Sequence, residues 1–392
     1  MKVLISGAGI AGTTLAYWLQ RAGHEPTLVE RAPQLRQGGY LIDFWGAGYE
    51  VAERMGIVDS LHDVGYHMES LREVSKRGRQ IARLDPRSFL GPIGDRFISI
   101  ARADLAAAIF DTLKDVEILF GDSVAALDDH DDGVQVTFTS GSTRQFNLVV
   151  GADGLHSRIR RLVFGPEDQF AKDLGFSVAA FDVEGYEPRE ELVAITHTEV
   201  GAQALRFTLR DGATMFFFTF RHDGPIPDDV EAQQQLLLEQ LRDVGWEVPQ
   251  ILTRLPDTRT FYLDKASQIR MPTWSRGRVV LVGDAAACPS LLAGQGSALA
   301  MIEAYVLAAE LADKDSDYAT AFSAYERQLA PMVRDKQDAA LGTASFFAPR
   351  NRRQLLFRNG MFKLMSLPFV SRLASSRVLQ DPIELPTWPH GA

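Results

Sequence analysis

Two glycine-rich stretches carry the residues whose spacing could hold a ligand. The first, Gly7-Ala8-Gly9-Ile10-Ala11-Gly12, falls between the apolar run KVLIS and a helical pattern over Thr13 to Arg21. There Gly7 permits a tight turn, Gly9 lets a pyrophosphate approach the main chain, and Gly12 allows close helix–strand contact. Unpaired N–H groups and the positive dipole end at the helix start favour the phosphate charge. Glu30 ends the next strand, HEPTLVE, where a carboxylate accepts from a ribose hydroxyl and suits an adenosine without a 2′-phosphate. The second stretch, VVLVGDAAACPSLLAGQGS at 279–297, puts Asp284 at the carboxyl end of a buried strand, within reach of a polyol hydroxyl. Gly294 and Gly296 remove side chains where a flat ring would touch main chain. The helix starting near Gln295 then aims its dipole at negative charge on that ring.

These motifs need a sheet covered by helices. KVLIS, GAGIAG with its helix, and HEPTLVE form a βαβ unit, which implies parallel strands. Helices are predicted over 44–55 and 104–113, strands at VEILF, SVAAL, VQVTFT and 148–151, and an acidic turn at DDHDDG. From about Leu174 the texture becomes alternating. Leu205, Phe207 and Leu209 alternate with Arg206, Thr208 and Arg210 before the Asp211-Gly212 turn, whereas MFFFTF beyond it is apolar on both faces. Such a sheet needs two covers, and the second is either a ligand cavity or an ordinary core. Buried-strand texture resumes at 278–283, followed by helices over 296–311 and 318–337. The fold class is therefore α/β: a Rossmann-like domain interrupted by a mostly antiparallel β-sheet domain, plus C-terminal helices. The expected division is 1–170 and 273–340 for the cofactor domain, 171–272 for the substrate domain, and 341–392 for a C-terminal lid or tail.

Composition narrows the function. With 392 residues and 46% hydrophobic content the chain builds a large core, and a formal charge of −10 argues against a nucleic-acid partner. A lone cysteine, Cys288, excludes an internal disulfide, fits a cytoplasmic protein and reads as a buried inert thiol. The eight histidines are scattered without metal-ligand spacing, and His156 reads as a packing or surface group. No apolar run approaches the ~20 residues that span a bilayer. The stretch 346–379 carries seven basic residues and no acidic one. It reads as a lid over the cavity mouth, a terminal helix docked for stability, or a peripheral contact with an anionic membrane.

Together GAGIAG with Glu30-Arg31, GADGLHSRIR at 151–160 and GDAAACPSLLAGQG at 283–296 resemble the single-component FAD-dependent monooxygenases, the family of para-hydroxybenzoate hydroxylase. The GGYLID segment and the CPS…GQG pattern are most similar to the tetracycline-inactivating subgroup. The resemblance implies FAD, reduced by NAD(P)H with NADPH favoured, and insertion of one atom of molecular oxygen into a small aromatic or polycyclic substrate through a flavin C4a-hydroperoxide. It implies that Asp153, with Gly154, Ser157 and Arg160, lies near the pyrophosphate, that Arg31 flanks the adenosine ribose, and that Arg36 lies where flavin and nicotinamide meet. Asp43, Arg102, Ala11, Leu291, Gln295 and Ser297 complete the implied cofactor contacts. Arg206, Phe207, Met215 and Phe217 would line the substrate. Ala287 and Leu291 replace a histidine and a proline common in the family, so the pocket where oxygen reacts is the expected point of difference. A reductase of the same fold and a flavin-containing binding protein without turnover are the alternatives. The tryptophan motif of halogenases is missing.

Overall fold

The computed structural model describes residues 1–35, 40–86, 90–210, 212–313, 317–367 and 383–389. Among them, the apolar run KVLIS forms β1 (Lys2–Ser6), which pairs in parallel with β2 (Glu25–Glu30) on one side and β11 (Leu148–Gly151) on the other. Next to β2 runs β7 (Glu117–Phe120), and next to β11 runs β18 (Val279–Leu281), both parallel; the short β17 (Ser275–Arg276) closes that edge antiparallel. Val3, Leu4, Ile5, Leu148, Val149, Val150, Val280 and Leu281 are fully buried, as strands covered on both faces must be. The strand at 279–281 thus completes a sheet begun at residue 2, and everything between 152 and 274 is an excursion from it.

The cover includes α1 (Ile10–Arg21), α2 (Gly46–Met55), α3 (Val58–Val64) and α4 (Arg102–Phe110), with small residues at the tightest contacts. A Cβ on Gly48 would stand 2.6 Å from the Cβ of Ala298, so only glycine lets α2 reach its neighbour. The two-stranded ladder of β3 (Leu41–Phe44) and β6 (Ile98–Ala101) lies nearby, and β8 (Val124–His130), β9 (Gly133–Phe138) and β10 (Thr143–Phe146) form a three-stranded meander. Its tip carries the acidic DDHDDG segment.

The excursion builds a seven-stranded sheet in the order β16 (Thr260–Ile269), β12 (Ala171–Glu184), β15 (Ala213–Phe220), β14 (Ala202–Thr208), β13 (Val193–Glu199), β4 (Ser70–Val74), β5 (Gln80–Leu84). All pairings are antiparallel except β13 with β4. The sequence division corrected here is that of 1–170: β4 and β5 leave the first domain because β4 pairs with β13. One face of MFFFTF, with Phe216, Phe218 and Phe220, packs under α6 (Val230–Leu241) and α7 (Val248–Leu252) through Leu237, Leu241, Val248 and Ile251. The other face, with Met215 and Phe217, looks back toward the first domain.

After the single helical turn α8 (Asp284–Ala287) come α9 (Gly296–Ala312), α10 (Tyr318–Phe347) and α11 (Arg352–Met365). Helix α10 continues ten residues past the predicted 337, so the expected boundary at 340 falls inside it. Residues 383–389 return to the first domain. Trp388 packs 4.6 Å from Trp18 of α1 and 5.7 Å from Tyr305 of α9, and the Pro386 carbonyl accepts from Tyr305 Oη and Arg54.

Candidate functional site

The carboxyl ends of β1 and β18 face the same edge of the six-stranded sheet, each followed by a helix start. The three glycines of the first turn have three different reasons. Gly7 has φ +105° and a Cβ there would lie 2.5 Å from the Ala152 carbonyl; at Gly12 a Cβ would lie 1.9 Å from the Gly7 carbonyl. Both are demanded by the fold itself. At Gly9 no atom of the described residues lies within 4 Å of a Cβ position, so there is open space beside it. Glu30 accepts from the N–H groups of Ala8 (3.0 Å) and Ala32 (2.9 Å), which ties the loop to the end of β2 while leaving each oxygen room for a second donor.

The helix ends carry the same message. Asp229, Asp317 and Asn351 each accept from an N–H in the first turn of α6, α10 and α11. At α1 the cap is Gly9 and at α9 it is Gln295, and neither side chain bonds to the helix it starts. Gln295 instead accepts from Lys336 of α10. No capping side chain therefore takes the first N–H groups of α1 and α9, Ala11 and Ser297 among them. Gly294 has φ +67° and open space at its Cβ position, and Gly296 has only Asp284 Oδ1 at 3.8 Å. A Cβ on Gly283 would lie 3.1 Å from the Cβ of Ala11 and 3.6 Å from that of Ala300, so the chain leaving β18 passes closely between α1 and α9.

Behind this edge Glu303, fully buried in α9, accepts from the Gly283 N–H (2.6 Å) and from Tyr325 (3.4 Å). Burial, with Asp284 close by, pushes its carboxyl up to about 8. Cys288 is buried, and desolvation, reinforced by the charge of Asp284, raises its thiol well above the usual range, as an inert thiol requires. Ser290 holds a left-handed φ of +86°, and its hydroxyl accepts from Leu292 N. Leu291 packs with Phe176, Val178 and Ala266, next to Phe217 and Tyr262.

The middle motif is held to the helix that follows it by its own hydrogen bonds. Asp153 accepts from Ser157 Oγ (2.5 Å) and from the N–H groups of Arg158 and Ile159, which caps α5 (Arg158–Val163). Its carboxylate is therefore spent on the protein, and only its main chain approaches Gly7. Arg160 is fully buried and donates to the carbonyls of Ala285 and Leu155 and to Glu167. His156 bridges Glu167 (2.9 Å) and Asp264 of β16 (3.1 Å); Asp264 first and Glu167 second raise it to about 10, so the imidazole is charged at neutral pH. This chain joins the two domains, and neither Glu167 nor Asp264 carries a sequence signal for it.

Toward the seven-stranded sheet, Tyr40 lies 5.9 Å from Phe217 and 6.0 Å from Tyr262. Burial pushes Tyr40 up to about 12, against the pull of Arg102, whose N–H donates to the Tyr40 carbonyl. Phe207, Met215 and Phe217 share this face with Tyr66 and Ala194. Arg206 does not. Strand alternation turns it to the helical face, where it pairs with Glu190 and Glu247 and lies over Trp246, so its expected place on the substrate side is corrected. Asp43 accepts from Ser99 Oγ (2.6 Å) on the β3–β6 ladder, and Arg31 is exposed beside Glu30. Arg36, Gly38 and Gly39 lie outside the described residues, as does Asp211 of the predicted turn. Sequence reasoning did not single out Tyr40, Tyr66 or Tyr262, because a lone tyrosine in a strand or loop has no spacing to mark it.

A family model described as FAD binding domain matches residues 1–338. A flavin-dependent monooxygenase from an unknown prokaryotic organism is 33% identical, covering 88% of this chain and 90% of its own. FAD-dependent monooxygenase asL6 of Sarocladium schorii is 31% identical over 99% and 98% of the two chains. Among solved structures, tetracycline destructase Tet(55) superposes with a TM-score of 0.85 at 31% identity, covering 99% of this chain and 98% of its own. Klebsiella pneumoniae HpxO, crystallised with FAD and uric acid, shares the fold at 24% identity, with a TM-score of 0.82 and 97% of each chain covered. The open glycine loop, the starts of α1 and α9 and the interrupted sheet thus belong together: this chain is a member of the FAD-binding-domain family of flavin-dependent monooxygenases.

Proposed function

We propose that FAD lies along the edge between β1 and β18 and that an aromatic or polycyclic substrate lies between its ring and the Tyr40, Tyr262, Phe207, Met215 and Phe217 face. The space above Gly9 and the uncapped start of α1 fit a pyrophosphate. Glu30 and Arg31 flank the adenosine, Asp284 takes the polyol chain, and the first N–H groups of α9, with Gly294 and Gly296 clearing side chains, face the ring. Asp43 and Arg102 complete the contacts from the β3–β6 side. When bound, FAD supplies reduction by NAD(P)H, NADPH being favoured, and the oxygen-transfer chemistry described above. The chain's own residues position and exclude: the aromatic face keeps water from the ring, and Leu291 fills the place of the family's proline. Such a nicotinamide-fed reaction belongs in the cytoplasm, and the C-terminal helices, which border the sheet, form the lid of the substrate domain.

The carrying observation is the apolar row on one face of β14–β15, which turns toward the cofactor edge rather than into the helical core. Because two of the structures most like this one are tetracycline destructases, a tetracycline heads the substrate panel. The test is NADPH oxidation in air with each ring compound, followed by mass spectrometry. The expected result is substrate-stimulated oxidation and a product heavier by one oxygen atom. Turnover without oxygen would replace this reading by a reductase, and binding without NADPH consumption by a ligand-sequestering flavoprotein.

A further inference from the structure

Among the described residues, helix α11 has one buried face and one exposed face. On the inner face Arg358, 2% exposed, pairs through both guanidinium nitrogens with the buried Glu73 of β4 at 3.1 Å, and donates to the Phe346 carbonyl at 2.9 Å. Phe346 and Phe362 flank the guanidinium at 4.8 and 4.9 Å. Glu73 also accepts from Thr196 (2.7 Å), so the helix is fastened to the sheet edge on the side that borders the substrate face. Its orientation is therefore fixed.

On the opposite face Leu356 is 71% exposed, Phe357 74%, Leu364 52% and Leu367, just past the helix end, 54%. Together with Met361 these make five of the twelve large exposed apolar residues among those described, gathered on one short segment. A contiguous apolar patch of this kind marks a contact surface. Arg350, Arg352, Arg353 and Lys363 surround it, all exposed, and no acidic residue occurs between Asp338 and Asp381. In a chain of formal charge −10 this is a locally cationic surface with an apolar centre. A soluble protein partner would need to match both features, whereas the interface of an anionic bilayer supplies acyl chains and phosphate charge together.

We propose that the outer face of α11 docks this protein on an anionic lipid surface. Docked so, the helix places the sheet edge that borders the substrate face at the headgroup level, where an apolar compound dissolved in the bilayer is concentrated. The proposal stands apart from the identity of the substrate and from turnover, since it concerns a surface away from the cofactor edge.

The test is co-sedimentation of FAD-loaded protein with vesicles of phosphatidylcholine alone and with vesicles containing phosphatidylglycerol, at low and high salt. Expected is binding to the anionic vesicles that exceeds binding to the neutral ones by about tenfold or more and weakens with salt. Phe357→Ser with Leu364→Ser, and separately Arg352→Glu with Arg353→Glu, should each abolish most of it while FAD content and the thermal midpoint in solution are unchanged. No vesicle binding overturns the proposal, as does equal binding to both vesicle types. Self-association of the unmodified chain that the Phe357→Ser, Leu364→Ser variant removes would overturn it in favour of a contact between two copies.

Discussion

Five helices of twelve residues or more occur among the described residues, and they begin in two different ways. Three are closed by their own sequence: Asp229, Asp317 and Asn351 accept from first-turn N–H groups, and α11 is further held by the Arg358–Glu73 pair. The other two, α1 and α9, begin on Gly9 and Gln295 with no cap side chain turned back to them, α1 directly after β1 and α9 after the short turn of α8 that follows β18 in the same sheet. The first kind satisfies its own donors and so contributes stability. The second forgoes side-chain capping, at a cost of only about a few tenths of a kcal/mol where the start is glycine, and leaves its first donors for the anion of the proposed site. Stability and ligand binding are thus written into different helix ends, and substitutions should separate them.

The largest effect is expected at the closed kind. Arg358→Ala leaves Glu73 buried without its counter-charge, and the loss of unfolding free energy should be about 3–5 kcal/mol, read from denaturant midpoints. The companion substitution Glu73→Gln with Arg358→Met should recover much of that loss, because both charges then disappear together. At the open kind, Gly9→Asp should act in the opposite sense. Gly9 has ordinary extended backbone and open space, so a carboxylate there caps α1 and leaves thermal stability of the flavin-free protein unchanged or higher, while FAD affinity falls by roughly 100-fold through charge repulsion. A Gly9→Asp protein that retained its FAD would break the contrast. The smallest effect concerns Glu303, behind the open end of β18. Its folded pKa of about 8 lies above the ordinary 4.5, so the native state holds a proton that the unfolded chain releases between those values. Stability should therefore fall as pH rises from 4.5 to 8, and Glu303→Gln should flatten that slope by on the order of 2 kcal/mol, measured by unfolding at pH 5.5 and pH 8.

The same division governs what could be read from the sequence. Gly7 and Gly12 are legible because close main-chain approach forbids a Cβ there, and Gly9 and Gly294 stand out as glycines with open space, so the pattern of small residues next to strand ends survives in one dimension. The interruption of the first domain was legible too, as a change from runs to alternation near Leu174 and back at 278. What stayed hidden depends on pairings between distant segments. Strand β4 reads as part of the first domain until its parallel partner β13 is known. Arg206 and Phe207 are adjacent, and only the helical cover under Trp246 and Glu247 decides which of them faces the site. The resemblance implies that Asp153 lies near the pyrophosphate, but no spacing in the sequence signals that its carboxylate also accepts from the N–H groups of Arg158 and Ile159 at the start of α5.

The contact between Trp388 and Trp18 has a consequence in time. Helix α1 of the cofactor domain is covered by a segment synthesised far later than itself, and Tyr305 and Arg54 reach their Pro386 carbonyl only then. At about 5–20 residues per second, α1 emerges tens of seconds before the residue that shields it. During that interval the indole of Trp18 is available to a chaperone, and the order of synthesis sets how long.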